Sequence, residues 1–126
     1  MVVERLGDGT LAATARGVTI AVGRGGPERL TSVELLLAAL GSCTLGTVLD
    51  YAGRVGIELD GARVELAPVL DAKPERVAEI CMTLKLAGDI SEPRLGALRR
   101  VAAHCKLHAT LVQGLSLALT VEHEDA

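Results

Sequence analysis

The chain has 126 residues, of which 49% are hydrophobic and 23% are charged, a balance typical of one globular domain over residues 1–126. The formal net charge is -3, and the Lys and Arg residues are scattered, which argues against a nucleic-acid partner and against a membrane-binding polybasic patch. Tyr51 is the only aromatic residue, so the core must be built from aliphatic side chains and nucleobases cannot stack on this protein.

The N-terminal part of the chain predicts two short β-strands. The stretches "TLAATA" (10–15) and "VTIAV" (18–22) are rich in β-branched or small residues, and Gly17 lies in the turn between them. The first residues contain an early acid and lack the apolar core of a signal peptide, so we expect a cytoplasmic protein. "GRGGPERL" (23–30) predicts a loop of glycine and proline.

A long helix is predicted to follow this loop. Thr31 or Ser32 can cap its N-terminus, and Gly53 or Gly56 is suited to its C-terminal end. Nearly every face of this helix is apolar. We therefore expect it to be covered on all sides, by a sheet on one side and by other helices or a second subunit on the other.

The middle of this helix raises the question of a membrane span. Residues 35–49 are uncharged, but Glu34 and Asp50 bound this run. The run is short for a bilayer span and typical of a buried helix. We therefore expect a central helix and no membrane partner.

The second half of the chain predicts two strands, a helix and a final strand. Residues 62–70 and 76–88 read as strands, and "LSLALTVE" (115–122) alternates like a strand before a solvated tail at 123–126. Ser91 can cap a helix whose inward face carries Leu95, Leu98, Ala102 and Cys105. Because strands and helices are segregated along the chain, the predicted class is α+β with an antiparallel or mixed sheet.

The three cysteines indicate a thiol or redox role. An odd number of cysteines in a reducing compartment argues against a static disulfide framework. Cys43 lies in the apolar run "ALGSCTLGTVLDYA", whereas Cys81 lies on the strand face opposite Ile80 and Met82, and we expect Cys81 to be structural. The alternative for each cysteine is burial as a small hydrophobic residue.

A nucleophilic Cys43 would require a nearby cation. Only the thiolate attacks an electrophile, and burial among Leu and Ala side chains raises the pKa of a thiol. Arg24 and Arg29 lie in the loop before the helix, and a guanidinium stays charged in an apolar site, where it can hold both the sulfur and an incoming oxygen. The alternative is that each arginine is a solvated surface residue.

The segment "CKLH" suggests a metal site as a further alternative. His108 lies one helical turn beyond Cys105, and His104 and His108 are four residues apart, so they can share one helix face. A closed zinc site needs four ligands, however, and the sequence has no CxxC motif. We therefore expect no metal and no other cofactor, and metal binding by these three residues is kept as an alternative.

Both segments with inward-facing cysteines resemble the osmotically inducible protein C and organic hydroperoxide resistance proteins, the OsmC/Ohr family. "TSVELLLAALGSCT" is similar to that family's helix around its reactive cysteine, and "AAHCKLHATL" is similar to the segment around its second cysteine. The similarity covers most of the chain from about residue 30 onward. The N-terminal strands are short for the family.

This resemblance implies an intertwined homodimer with a long central buried helix and two active sites at the subunit interface. It also implies a thiol peroxidase acting on organic hydroperoxides. Cys43 matches the reactive cysteine, which forms a sulfenic acid, and Cys105 matches the resolving cysteine, which condenses with it to a disulfide that an external thiol or dithiol reductant reopens. Arg24 is the expected catalytic arginine. A second hypothesis keeps the fold but assigns the pocket to an apolar small molecule or to another thiol chemistry.

The chain departs from the family pattern at two positions. The family's glutamate that orients the arginine corresponds to Val33, and Glu34, one place later, would lie on the far side of the helix from Cys43. Glu28 in the preceding loop is an alternative source of the carboxylate. Lys106 occupies the position of the family's usual proline.

Overall fold

A computed structural model describes residues 1–24 and 26–124 of the chain, so residues 25, 125 and 126 lie outside the description. In chain order its elements are β1 (Val2–Arg5), β2 (Leu11–Ala15), β3 (Val18–Val22), α1 (Ser32–Val55), β4 (Gly61–Ala72), β5 (Glu75–Ala87), α2 (Glu92–Ala102) and α3 (Lys106–Gln113). The strands form a sheet of order β1-β2-β3 and a β4-β5 hairpin, and every strand pair is antiparallel. The predicted α+β class is confirmed.

The predicted N-terminal hairpin is present as β2 and β3. Arg16 and Gly17 form its turn with φ of 50° and 82°, the left-handed conformation at both positions that matches the twist of a two-residue hairpin. The expectation of only two strands is wrong, because β1 pairs with β2 along Val2–Arg5. All four β1 side chains are exposed. Because no face of this strand is buried, its sequence does not alternate between apolar and polar residues, and the strand was not predicted.

Helix α1 begins and ends where its capping residues predict. The Glu34 backbone N–H donates to Thr31 Oγ1 at 3.1 Å, and the Thr31 backbone N–H donates to Glu34 Oε1 at 2.9 Å. These two bonds form a capping box that satisfies free donors of the first turn. At the other end Gly56 adopts the left-handed conformation with φ of 77°, which glycine tolerates without a Cβ clash.

Helix α1 packs against the β4-β5 hairpin, α2 and α3, and this contact forms the core. The fully buried cluster consists of Val48, Ala52, Ile57 and Leu98, and Tyr51 packs against it. Nearer the N-terminus of α1, a Cβ on Gly41 would lie 2.8 Å from Leu66 Cδ1, so any other residue there would require the Leu66 side chain to shift.

The opposite face of α1 is open to solvent within a single chain. Leu49 and Val55 are 45% and 44% exposed. One hairpin and two short helices cover only part of the circumference of α1, so the expectation that α1 is covered on all sides stays a prediction that requires a second subunit. By length and composition alone, α1 also meets the criteria for a membrane-crossing helix, as the core helix of a soluble protein can.

The two strands predicted in the middle of the chain form the long β4-β5 hairpin. Half-buried side chains alternate with exposed ones, so Met82 and Leu84 face α1 and α2 while Cys81 faces solvent. On the outer face Lys85 Nζ lies 2.8 Å from Glu65 Oε1. The predicted faces of β5 are confirmed.

The helix predicted to run through Cys105 is wrong. Helix α2 ends at Ala102, and Cys105 is the N-cap of the separate helix α3, with an extended backbone at φ -69° and ψ 140°. His104 lies in the turn between them, with Nδ1 2.6 Å from the Arg100 carbonyl oxygen, so it does not share a helix face with His108. The predicted inward orientation of Cys105 is nevertheless confirmed, because the residue is fully buried.

The strand predicted for residues 115–122 is not formed. Residues 114–124 are neither helix nor strand, and Leu117 and Leu119 are 86% and 89% exposed. A strand requires a hydrogen-bonded neighbour, and no described strand of this chain pairs with the segment. In the predicted solvated tail, residues 123 and 124 are exposed, and residues 125 and 126 lie outside the described part.

Candidate active site

The structure brings Cys43 and Cys105 together where α1 meets α3. Cys43 is half-buried in the middle of α1, and Cys105 is fully buried at the start of α3. The Cys43 thiol is close enough to the Cys105 sulfur to lower the pKa of Cys105. Both residues are free cysteines, so the two sulfurs are positioned as a dithiol pair between two helices.

The surroundings of Cys105 favour its thiolate. Burial raises the pKa of this thiol, but the nearby Cys43 thiol, the His108 backbone N–H, the Thr44 hydroxyl and the Leu107 backbone N–H lower it, and the net effect is a lowered pKa. The two backbone donors belong to the first turn of α3, where peptide N–H groups have no partner within the helix. Cys105 is thus a buried sulfur surrounded by donors.

Thr44 is the one buried polar residue beside this pair. Its side chain is 3% exposed, and its Oγ1 has no hydrogen-bond partner of ordinary geometry among the described residues. Buried hydroxyls nearly always have a partner. The Thr44 hydroxyl is instead close enough to the Cys105 sulfur to lower its pKa, whereas the nearby Thr47 hydroxyl donates to the Cys43 carbonyl oxygen at 2.8 Å.

The two candidate arginines have different environments. Arg24 is exposed, and no salt bridge or side-chain hydrogen bond of the described residues involves it. Arg29 is half-buried, and its side chain folds over the loop, with Cδ 3.1 Å from where a Cβ on Gly23 would lie. The guanidinium Nε of Arg29 is buried without a partner in the described part of the chain. The structure gives neither arginine a hydrogen bond to Cys43.

The carboxylates near these arginines have other roles. Glu34 is engaged in the capping box with Thr31, so its carboxylate is committed to the start of α1. Glu28 is exposed in the loop, with φ of 64°. Val33 is half-buried and places an aliphatic side chain at the position that the family resemblance assigns to a glutamate.

An apolar groove lies next to the cysteine pair. Its volume is about 300 Å³, and it lies between α1, β5 and α3. Leu40, one turn before Thr44 on α1, and His108, one turn after Cys105, both line it, so it is bounded by the helical turns adjacent to the two cysteines. The remaining lining residues are Leu36, Val77, Ala78, Glu79, Ile80, Met82, Leu111 and Val112.

The structure does not bring together the ligands of the metal alternative. Within residues 1–24 and 26–124, no group of three or more His, Cys, Asp or Glu side chains is placed to hold a metal ion.

Cys81 lies apart from the cysteine pair. It is exposed on β5, and its thiol donates to Glu79 Oε1 at 3.2 Å. This hydrogen bond, together with the negative charge of Glu79 and some burial, raises the pKa of Cys81.

The family can be assigned once this geometry is known. The model of the OsmC-like protein family matches residues 25–120, which include α1, both hairpin strands, α2, α3 and both inward-facing cysteines. The chain belongs to the OsmC-like family. OsmC-like proteins are soluble, so α1 is the core helix of a soluble domain.

Solved structures of other OsmC-fold chains agree with this assignment. An OsmC-like protein from Mycoplasma pneumoniae superposes with a TM-score of 0.79 at 19% identity, covering 90% of this chain and 86% of that one. A hypothetical protein from Aquifex aeolicus VF5 gives 0.77 at 22% identity, with 89% and 85% covered. A protein from Psychrobacter arcticus 273-4 gives 0.76 at 22% identity, with 86% and 85% covered. At these identities the likeness establishes the fold alone, and no curated protein sequence matches the chain significantly.

Sequence reasoning missed two features of this site. Thr44 directly follows Cys43, but a threonine within an apolar helix gives no signal of its own. The first turn of α3 was also missed, because no glycine, proline or serine separates it from α2 in "VAAHCKLH". The only available signal was Lys106, which occupies the position of the family's usual proline.

Proposed function

We propose that this OsmC-like protein is a thiol-dependent peroxidase that reduces organic hydroperoxides, with Cys43 as the attacking cysteine and Cys105 as the resolving cysteine. The observation that carries the proposal is the proximity of two free cysteines, Cys43 on α1 and Cys105 at the start of α3, where these two helices pack together. Cys43 is half-buried, whereas Cys105 is fully buried. A peroxide therefore meets Cys43 first, and the sulfenic acid forms within reach of a second thiol.

The reaction proceeds in two steps and starts with Cys43 and Cys105 sharing one proton. The Cys43 sulfur attacks the terminal peroxide oxygen, the O–O bond breaks, and the Cys43 proton passes by way of Cys105 to the leaving alkoxide, which departs as an alcohol. The Cys105 thiolate then attacks the sulfur of the Cys43 sulfenic acid, forms the disulfide and expels hydroxide, which solvent protonates. Two electrons leave the dithiol and reduce one hydroperoxide. An external thiol or dithiol reductant restores the pair.

The groove beside the pair supports a substrate with an apolar organic group. Its lining is mainly apolar, with Glu79 and His108 as its polar members, so a hydrocarbon chain loses water contacts on entering it. We propose Arg24 as the cation that holds the peroxide and the Cys43 thiolate, because its side chain is exposed and has no ion pair within the described residues. Arg29 is the alternative, with its partnerless Nε.

We also propose a cytoplasmic homodimer without a cofactor or metal. The open face of α1 and the exposed, alternating leucines of residues 115–119 are apolar surfaces that one chain leaves uncovered. Exposed apolar patches of this kind mark protein interfaces. A second copy that covers them would close the site around Cys43.

The experiment is a peroxide consumption assay with the purified protein. We expect turnover of a bulky aliphatic or aromatic hydroperoxide to exceed that of hydrogen peroxide, because only the former fills the groove. A dithiol reductant should support more cycles than a monothiol. Absence of consumption with either peroxide and either reductant would refute the proposal.

A second candidate function is binding of an apolar small molecule, or another thiol chemistry, in the same groove. The observation that favours it is Val33, which removes the acid expected to orient the arginine, while Glu34 is occupied in the capping box. A protein of this kind would bind an apolar fluorescent probe in competition with fatty acids and would leave hydroperoxides unreduced. The peroxide assay therefore separates the two candidates.

A further inference from the structure

The two sulfurs of the pair differ in access and in stabilisation. Cys105 is 0% exposed, whereas Cys43 is half-buried, so an external thiol reaches Cys43 alone. Cys43 lies in the interior of α1, where backbone N–H groups are used by the helix itself. Cys105 faces the free N–H groups at the start of α3. Negative charge is therefore better accommodated on Cys105 than on Cys43.

The partnerless hydroxyl of Thr44 adds to this asymmetry. It is buried to 3% exposure, it makes no hydrogen bond of ordinary geometry with another described group, and it is close to the Cys105 sulfur. A buried hydroxyl without a partner costs free energy in the resting protein. That cost is recovered whenever Cys105 carries a full negative charge and accepts a hydrogen bond from it.

We propose that an external thiolate opens the Cys43–Cys105 disulfide at Cys43 and that the Thr44 hydroxyl stabilises Cys105 as the leaving thiolate. This inference rests on the disulfide of the proposed function. In the step, the external sulfur bonds to Cys43 Sγ, the S–S bond breaks, and the electron pair goes to Cys105 Sγ. A second equivalent of thiol then displaces Cys43 from the mixed disulfide and leaves as the oxidised reductant. In this step the Thr44 hydroxyl acts directly on a reacting sulfur, which makes Thr44 a catalytic residue of the proposed reduction.

The test compares disulfide opening in threonine variants. Wild type, Thr44→Val, Thr44→Ser and Thr47→Val are oxidised with diamide, freed of excess reagent and reduced with 2-mercaptoethanol. The loss of a hydrogen bond to a charged leaving group should slow opening by about five- to tenfold in Thr44→Val. Thr44→Ser keeps the hydroxyl and should open within about twofold of wild type. Thr47→Val is the matched control, because its hydroxyl bonds to a backbone oxygen and should not affect the rate.

A second measurement locates the attacked sulfur directly. The wild-type reaction is quenched with acid at early times, and the mixed disulfide is mapped by peptide mass spectrometry. We expect 2-mercaptoethanol on Cys43. A mixed disulfide on Cys105, equal rates in wild type and Thr44→Val, or failure of diamide to link the two cysteines would each overturn the inference. Because diamide replaces the peroxide, a protein that consumes no hydroperoxide but shows the Thr44 effect would refute the peroxidase and retain the inference.

Discussion

The Cys43 thiol lies close to the Cys105 sulfur, although the two residues belong to helices far apart in the chain. Their environments are unequal, since Cys43 lies inside α1, whose backbone N–H groups are used by the helix, while Cys105 precedes the first turn of α3, whose N–H groups lower its pKa. In such a pair the accessible sulfur meets the peroxide and the external thiol, and the stabilised sulfur carries the negative charge. The predictions below test that division and the fold that creates it.

The two cysteines should respond differently to serine substitution. Cys43→Ser should consume no hydroperoxide, because a serine hydroxyl is a far weaker nucleophile than a thiolate at neutral pH. Cys105→Ser should consume about one equivalent per site and then over-oxidise at Cys43, since no second thiol captures the sulfenic acid. Stoichiometric peroxide titration followed by intact mass measures both outcomes. Oxidation of Cys105 at the normal rate in Cys43→Ser would reverse the assigned roles.

Removal of the proposed cation should slow the attack on peroxide. Arg24→Gln is expected to lower kcat/KM for an organic hydroperoxide by about a hundredfold, as loss of a charge-stabilising donor does in other active sites. Arg16→Gln, in the exposed β2-β3 turn, is the control and should keep wild-type activity. Equal activity of Arg24→Gln and wild type, with a large loss in Arg29→Gln, would move the role to Arg29.

Cys81 should behave as a bystander whose reactivity Glu79 suppresses. Its hydrogen bond to Glu79 and the charge of that carboxylate raise the pKa of Cys81, so its thiolate fraction is low below that pKa. Glu79→Gln removes the charge and lowers the pKa, so alkylation of Cys81 by iodoacetamide at about pH 8 should accelerate, and the difference should vanish at higher pH. Peptide mass spectrometry gives the rate.

Cys81→Ser should keep full peroxide turnover, and a loss as large as that of Cys43→Ser would contradict the assignment of Cys81 as a bystander.

The close approach of β4 to α1 should make Gly41 intolerant of a side chain. A Cβ there would lie 2.8 Å from Leu66 Cδ1 and 3.1 Å from Val64 Cγ1, whereas a Cβ on Gly53 would have nothing within 4 Å. Both glycines lie in α1, so the gain in helix propensity on substitution by Ala is shared. Gly41→Ala should therefore be less stable than Gly53→Ala by about 1–3 kcal/mol, measured by urea unfolding. Equal stabilities would mean that Leu66 rearranges without cost.

The apolar surfaces left open by one chain should be covered in a dimer. Sedimentation equilibrium at micromolar concentration should give twice the chain mass. Leu49→Glu and Leu117→Glu place charges on two of the exposed apolar positions and should shift the protein toward monomer. Lys85→Glu, on the solvated outer face of the hairpin, is the charge-changing control. A monomeric wild-type protein would contradict the prediction.

Local chemistry explains which elements the sequence predicts correctly. The bounds of α1 follow from Thr31, Glu34 and Gly56, residues whose side chains or φ preferences determine a helix end without help from the rest of the fold. The break between α2 and α3 could not be predicted in the same way, because Ala103 and His104 are compatible with a continuous helix. The strand at residues 115–122 has the correct alternation, but no edge within this chain pairs with it, and alternation alone does not supply a partner.

The site was predictable only in part. The pairing of Cys43 with Cys105 came from resemblance to a family, since nothing in the spacing of the two residues places α1 beside α3. The burial of Cys105 was predicted from its helical spacing after Leu95, Leu98 and Ala102, and it holds although that helix ends at Ala102. The role of α3 in directing N–H groups at that sulfur, and the partnerless Thr44 hydroxyl, depend on three-dimensional placement that the residue pattern does not encode.

The placement of Tyr51 gives this protein a built-in optical reporter. It is the only aromatic residue in the chain, and it packs against the cluster of Val48, Ala52, Ile57 and Leu98 at the junction of α1 and α2. Because the chain has no tryptophan or phenylalanine, all of its aromatic absorbance and emission arise from a single ring. Fluorescence of the unlabelled protein therefore monitors this one part of the interior, and disulfide formation at Cys43, about two helical turns before Tyr51 on α1, will be visible to it only if the change is transmitted along that helix.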